Sequence, residues 1–349
     1  MGNLFTYSGL ATKVKAMKRN LLKPSQYQEL ASMDCVSSAV EYLKRLPAYH
    51  DIFAGADTGN LHRAAIEEFL LQAEYHDFSK LYRFSNLSQR KFLDMYFMRY
   101  EITVLKRCLR SIMGKQPLDI RLLRFQEFFE RHSQLNLMKL TSSRTLSEFA
   151  ENLTDTPYGP VFHKLSRQEH MTLFDCEMSL DFLYFRTMWK IKDKWTNKNE
   201  QTVLTECFGS RLDMLNLQWI YRCIRYYSMS EEEISSLLIP ISYRLKPEQA
   251  KALSGTASAE EFFSVLETTY YGNLKLADLR QQPSPEKLSR QVLERIHQLT
   301  VLRDPYSIAS VNSYLYFKEL EIHQIITVIE SIRYKFNPNQ IISRLENVM

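Results

Sequence analysis

The feature that most constrains this chain is a helical segment written three times. The copies read YEITVLKRCLRSIMGK from Tyr100, LDMLNLQWIYRCIRYY from Leu212 and LEIHQIITVIESIRYK from Leu320. Each has an acidic residue second: Glu101, Asp213 and Glu321. Apolar residues then fall at matched places: Ile102, Met214 and Ile322; Leu105, Leu217 and Ile325; Cys108, Ile220 and Val328; Ile112, Ile224 and Ile332. Those offsets line one face of an α-helix. The copies lie 112 and then 108 residues apart (213 − 101 and 321 − 213).

A second motif recurs in the same register. TLSEFAENLTDTPY from Thr145 matches SAEEFFSVLETTYY from Ser258. Thr145 with Glu148, and Ser258 with Glu261, have capping-box spacing, in which hydroxyl and carboxylate satisfy the free amides of a helix's first turn. Leu153 and Leu266 follow, then Thr156 and Thr269, then Tyr158 and Tyr271. The looser first copy, DCVSSAVEYLKRLPAY, has Asp34 as its expected cap, Pro47 in place of threonine, and Tyr49. From tyrosine to the next acid the separations are 52, 55 and 50 residues (101 − 49, 213 − 158 and 321 − 271). Two motifs in one order, three times, describe a triplicated chain.

The remaining segments also carry helical period, and strand-type alternation is scarce. Gly114 and Pro117 read as a helix stop, and Ser230 with Glu233 as a helix start. Turn chemistry clusters at Gly55 to Asn60, Pro157 to Pro160 and Gln282 to Pro285. The expected fold is all-α: three similar helical-bundle repeats of roughly 110 residues each, over 1–115, 116–228 and 229–349.

Composition excludes several classes of function. Glycine is scarce, 9 of 349 residues, and neither G-x-G-x-x-G nor G-x-x-x-x-G-K-[ST] occurs, so the common phosphate-cradling loops are missing. Net charge is a mild +5, and the basic cluster Lys13, Lys15, Lys18, Arg19 and Lys23 is short for a nucleic-acid stripe. The uncharged stretch Pro305 to Phe317 spans 13 residues, against the ~20 a bilayer needs, and no signal-peptide pattern precedes the first motif. Met1-Gly2-Asn3-Leu4-Phe5-Thr6 fits the loose myristoylation pattern but reads as an ordinary amino-terminal stretch. Cys35, Cys108, Cys176, Cys207 and Cys223 are scattered within apolar helical patterns, as reduced core thiols would be. The run YSGLATKVKAMKRNLL, with Leu10, Val14, Met17 and Leu21 on one face, reads as a first core helix with solvated lysines.

Catalytic and metal patterns are incomplete. Glu294 and His297 form a single Glu-x-x-His pair where a helical di-metal site needs two, and they read as a solvated helix face. His50-Asp51 and His76-Asp77 resemble the paired ligands of all-α metal phosphohydrolases, but His50 falls in the repeated turn, where the other copies have glycine. No catalytic, cofactor-binding or metal residue is expected, and no cofactor. The repeated acids Glu101, Asp213 and Glu321, with Tyr49, Tyr158 and Tyr271, are the structural or interface candidates. Each acid is expected to pair with an arginine inside its bundle; the other reading is three carboxylates lining a surface for a basic partner.

The chain as a whole resembles the family formed by the C subunits of archaeal and bacterial V/A-type ATPases and the d subunits of eukaryotic V-type ATPases. The similarity runs from Tyr7 through Lys15-Ala16-Met17-Lys18 and Leu21-Leu22, through the Leu-x-x-Thr-x-Tyr turns at Leu153 and Leu266, to the helix from Glu321 to Arg333. Pro47 and the longer first turn depart from that pattern. The resemblance implies three bundles in a funnel-like pseudo-threefold arrangement, and a non-catalytic central-stalk rotor component. Such a component would join the central shaft of the soluble ATPase sector to the proteolipid rotor ring, peripherally, on the cytoplasmic face of the membrane, for proton or sodium transport. The alternatives are a free-standing helical-repeat scaffold for protein or RNA, and a metal-dependent phosphohydrolase.

Overall fold

The computed structural model describes residues 2–56, 61–115, 120–165, 171–195, 197–276 and 284–345. Among them are eighteen α-helices, with short 3-10 and π turns and no strand. None of these helices is long and apolar enough to cross a membrane. Contacts divide the chain into two units: residues 1–84 with 196–349, and residues 85–195. These units do not coincide with the three segments expected from sequence.

The three acidic segments lie on the longest helices: Leu87–Met113, Lys198–Arg222 and Ile308–Arg333. Their repeated stripe is the buried face, except that Ile112 and Ile224 near the helix ends are half-buried. Leu105, Ile220, Ile325 and Val328 are wholly inaccessible, and Ile102, Cys108, Met214, Leu217, Ile322 and Ile332 nearly so. Burying each such aliphatic side chain is worth about 1.5–3 kcal/mol, so the stripe drives the packing. Each long helix lies against a companion: Leu173–Ile191, Pro285–Arg303 and Arg63–Phe84 respectively. Each also ends on a residue with positive φ: Lys115, Ser228 and Lys335. For Ser228 a π turn, Cys223–Tyr227, intervenes.

In unit 85–195 the Glu101 helix is followed by short helices at Gln126–His132, Leu137–Ser142, Leu146–Glu151 and Gly159–Leu165 before the companion. The other unit has a similar order after the Asp213 helix: Glu231–Leu237, Pro247–Ser254 and Ala259–Glu267, then Pro285–Arg303. After the Glu321 helix comes Pro338–Leu345. Besides Pro285–Arg303 and Lys198–Arg222, the helices that pack with it come from the other end of the chain: Pro24–Ala31, Val36–Lys44 and Arg63–Phe84, with His50–Phe53 held between the last two. One apolar cluster accordingly joins Leu30, Val40, Leu43, Tyr49, Phe53 and Leu70 to Ile325, Val328, Ile329 and Ile341. The helix Gly2–Lys18 packs on this assembly through Tyr7, Leu10, Ala11, Val14 and Met17.

Local expectations fare unevenly. Thr145 and Ser258 cap their helices, and Glu148 and Glu261 reach back to the amides of Arg144 and Ala257, one residue before the cap. In the first copy the cap position is Cys35, not Asp34, and its side chain makes no capping hydrogen bond. Cys35 is also exposed, unlike the four other cysteines. Pro117, residues 57–60 of the first turn region and residues 282–283 of the third lie outside the described residues.

Candidate functional site: three buried carboxylates

All three repeated acids are buried: Glu101 is 8% exposed, Asp213 1% and Glu321 3%. A carboxylate held there needs hydrogen-bond donors. In all three places the donor is the repeated tyrosine rather than the arginine expected. Tyr158 Oη donates to Glu101 Oε2 at 2.6 Å, Tyr271 Oη to Asp213 Oδ2 at 2.7 Å, and Tyr49 Oη to Glu321 Oε1 at 2.6 Å. Burial and the neighbouring carboxylate raise all three tyrosines well above the ordinary phenol range. They therefore stay protonated and act as donors.

The pairing runs forward from acid to tyrosine at two sites, over 57 and 58 residues. At the third, Glu321 takes Tyr49 from 272 residues upstream. The acid helix thus precedes its tyrosine twice, and the third tyrosine is supplied by the chain's own first segment.

The remaining carboxylate bonds hold the stretch of backbone that enters a following helix. Asp213 accepts from the amides of Tyr243, Arg244 and Leu245 at 3.2, 2.7 and 2.9 Å. Glu101 accepts from Ser133 Oγ, which in turn accepts from the Leu135 amide at 2.9 Å. Glu321 accepts from the Leu22 amide. Leu135, Leu245 and Leu22 each stand immediately before a helix cap: Asn136, Lys246 and Lys23. Sequence reasoning missed this element, although Leu22-Lys23-Pro24-Ser25-Gln26 and Leu245-Lys246-Pro247-Glu248-Gln249 share an L-K-P-x-Q pattern. In both, the glutamine side chain accepts from the lysine amide.

Burial raises Glu101 and Asp213 above their ordinary carboxylate values, with the hydrogen bonds opposing it. The Glu321 site is built differently. Lys318, 2% exposed, donates to Glu321 Oε1 at 2.8 Å and to Tyr49 Oη at 2.9 Å. Its ammonium also lies 3.8 Å from Asp77, which accepts from Tyr314 and from Lys80. Glu321 adjoins a cleft of about 500 Å³ lined by Leu22, Tyr27, Arg290, Phe317 and Gln324.

Tyr158 and Tyr271 are each followed by a glycine with no room for a side chain. A Cβ on Gly159 would meet Thr154 O at 2.5 Å, and one on Gly272 would meet Leu266 O at 2.3 Å. The longer first turn carries His50 instead, exposed and 3.0 Å from Asp51. Asp77 is engaged as above, and among the described residues no group of three or more His, Cys, Asp and Glu side chains could hold a metal ion. Glu294 pairs with Arg290 at 2.8 Å. His297 is not on a solvated face: it is buried, stacked 4.3 Å from Tyr316. Burial pushes its pKa down to about 3.

With every repeated acid committed to holding backbone and tyrosine in place, these sites act as clasps. Comparison with known proteins accords with a structural role. The family model described as ATP synthase (C/AC39) subunit matches residues 10–344. The A-type ATP synthase C subunit of Desulfurococcus sp. (strain SY) is 23% identical over 345 residues, 96% of this chain and 89% of that protein. The proteins of the same name from Methanosarcina barkeri and Pyrococcus horikoshii are 25% and 24% identical, across 90% and 96% of this chain and 86% and 89% of their own lengths. A match of this extent, on a chain whose described residues form helices and turns without a strand, places it: the chain belongs to the ATP synthase (C/AC39) subunit family.

Proposed function

We propose that this chain is a central-stalk rotor component that couples the shaft of the soluble ATPase sector to the proteolipid ring in the membrane. As a member of its family it is a structural, non-catalytic part of an A/V-type ATP synthase. The observation that carries the reading is the family match across residues 10–344. The clasps support it mechanically. A part that carries torque twists less the stiffer it is, and a buried carboxylate held by two to four donors ties each long helix to the segments around it. Close-packed interiors resist deformation in the same sense.

The proposal includes three repeats, each opened by its acid helix and closed by its tyrosine, the last closed by the chain's amino-terminal segment. The partners are the ring proteolipids and the shaft proteins, association with the membrane is through the complex at its cytoplasmic face, and the ion is a proton or sodium. The test is affinity purification of a tagged full chain from detergent-solubilised membranes, with mass spectrometry of its companions. Recovery of ring, shaft and catalytic proteins in fixed proportion is expected. A chain recovered alone from every membrane and soluble fraction would overturn it.

A further inference from the structure

The helix Gly2–Lys18 is a core helix along most of its length, yet its first turns are not. Tyr7, Leu10, Val14 and Met17 are buried, whereas Leu4 is 46% and Phe5 80% exposed. Contacts of its lysines show where this end lies. Lys18 stands over Phe317, well inside the Ile308–Arg333 helix; Lys15 stands over Tyr306, before that helix begins; Lys13 stands over Phe84, the last residue of its own helix. Leu4 and Phe5 therefore lie on the turn past these contacts, exposed where Tyr7 and Leu10 behind them are still covered. Phe84 itself is 52% exposed, and Leu302, on the corner leading to Tyr306, is 77% exposed.

The charges around this tip are mostly positive. From residue 2 to residue 28 the sequence contains Lys13, Lys15, Lys18, Arg19 and Lys23 and no acidic residue. Arg83 is exposed beside Phe84, and Arg303, held by Glu206, follows Leu302. Asp304 is the carboxylate on the adjoining corner. Eight residues of helix set Lys13 about 12 Å behind Phe5, and ten set Lys15 about 15 Å behind it. An apolar side chain that enters a bilayer interface by about 5–10 Å would leave Lys13 about 2–7 Å and Lys15 about 5–10 Å above the phosphates, comparable to the ~8 Å screening length of physiological salt.

We propose that this apolar tip with its basic collar is a peripheral binding site for an anionic lipid surface, Leu4 and Phe5 entering the interface and Lys13, Lys15 and Arg83 facing the phosphates. The charge of the collar selects lipid phosphate over a purely apolar protein face. The site is independent of the rotor assignment: a chain that fails to meet lipid could still be part of the complex.

The test is flotation of the purified full chain with vesicles of phosphatidylcholine alone and of phosphatidylcholine mixed with phosphatidylglycerol. Binding to the mixed vesicles, weakened by added salt, is expected. Leu4→Ser with Phe5→Ser should weaken it at least about tenfold, and Lys15→Gln with Arg83→Gln should remove most of its salt dependence. All four positions are exposed, and unchanged circular dichroism would establish that the variants fold. A folded chain that ignores the mixed vesicles would overturn the proposal, as would equal binding by the Leu4→Ser, Phe5→Ser variant. So would a variant that floats normally but no longer co-purifies with ring proteolipid, since the tip would then be a protein contact.

Discussion

Asp213→Ala offers the sharpest test of the clasps. Four donors converge on that carboxylate: the amides of Tyr243, Arg244 and Leu245 and the hydroxyl of Tyr271. Leaving a buried donor unsatisfied costs about 1–3 kcal/mol. Water entering the vacated space would relieve part of the sum, and the penalty for burying the charge disappears. A net loss of about 4 kcal/mol remains. Tyr271→Phe removes one of the four bonds and should cost about 1.5 kcal/mol. Because that bond is already gone in Asp213→Ala, the double variant should cost about 1 kcal/mol less than the two single losses added together. Urea unfolding of the full chain measures all three. Trp219, on the Asp213 helix, reports locally, while Trp189 and Trp195 lie in the other unit, so agreement between fluorescence and circular dichroism must be checked before a single free energy is quoted. A loss under about 1 kcal/mol for Asp213→Ala, or strict additivity with Tyr271→Phe, would refute the clasp.

Three further outcomes follow from the same geometry. Gly159→Ala and Gly272→Ala should each destabilise by at least about 2 kcal/mol in the same unfolding assay, since the new Cβ meets backbone atoms that cannot step aside. Lys318→Met leaves Glu321 and Asp77 without their buried cation, and should cost about 3–5 kcal/mol and expose the segment 24–84 to hydrogen exchange along with 308–345. Glu101 is raised above its ordinary value, so the folded state holds its proton more tightly than the unfolded state does. Its contribution to stability therefore falls as pH rises from the unfolded value through the folded one. Glu101→Gln should remove that component: urea midpoints of the wild type should gain on the variant as pH is lowered from neutrality toward the ordinary glutamate value, and a constant difference would contradict the shift.

What was legible in the sequence was whatever repeats at short range. The stripe from Ile102 to Ile332 announces itself because helical period places those residues on one face, and the Thr145 and Ser258 caps because their partners lie three residues away. The partner of each acid was not legible. Spacing alone matches Tyr49 with Glu101, and Tyr158 with Asp213, as readily as the pairs that form, and only the return of the first segment to the Glu321 helix decides between them. Arginine was expected because a buried charge suggests a counter-charge, yet neutral donors suffice at Glu101 and Asp213. Cys35 could not be told from a core thiol, nor His297 from a surface one, because each fits a helical pattern whose facing is set by distant neighbours. The Leu22 and Leu245 segments were within reach through their shared L-K-P-x-Q pattern.

The rotor assignment itself is tested most directly by watching this chain during ATP turnover. Cys35 is the exposed thiol among the five cysteines, and a probe attached there leaves the clasps untouched. In complexes reconstituted with the labelled chain and fixed to a surface through the catalytic sector, ATP should turn the probe continuously in one direction. A probe that stays fixed while ATP is hydrolysed and ions are moved would place the chain outside the rotor and contradict the account.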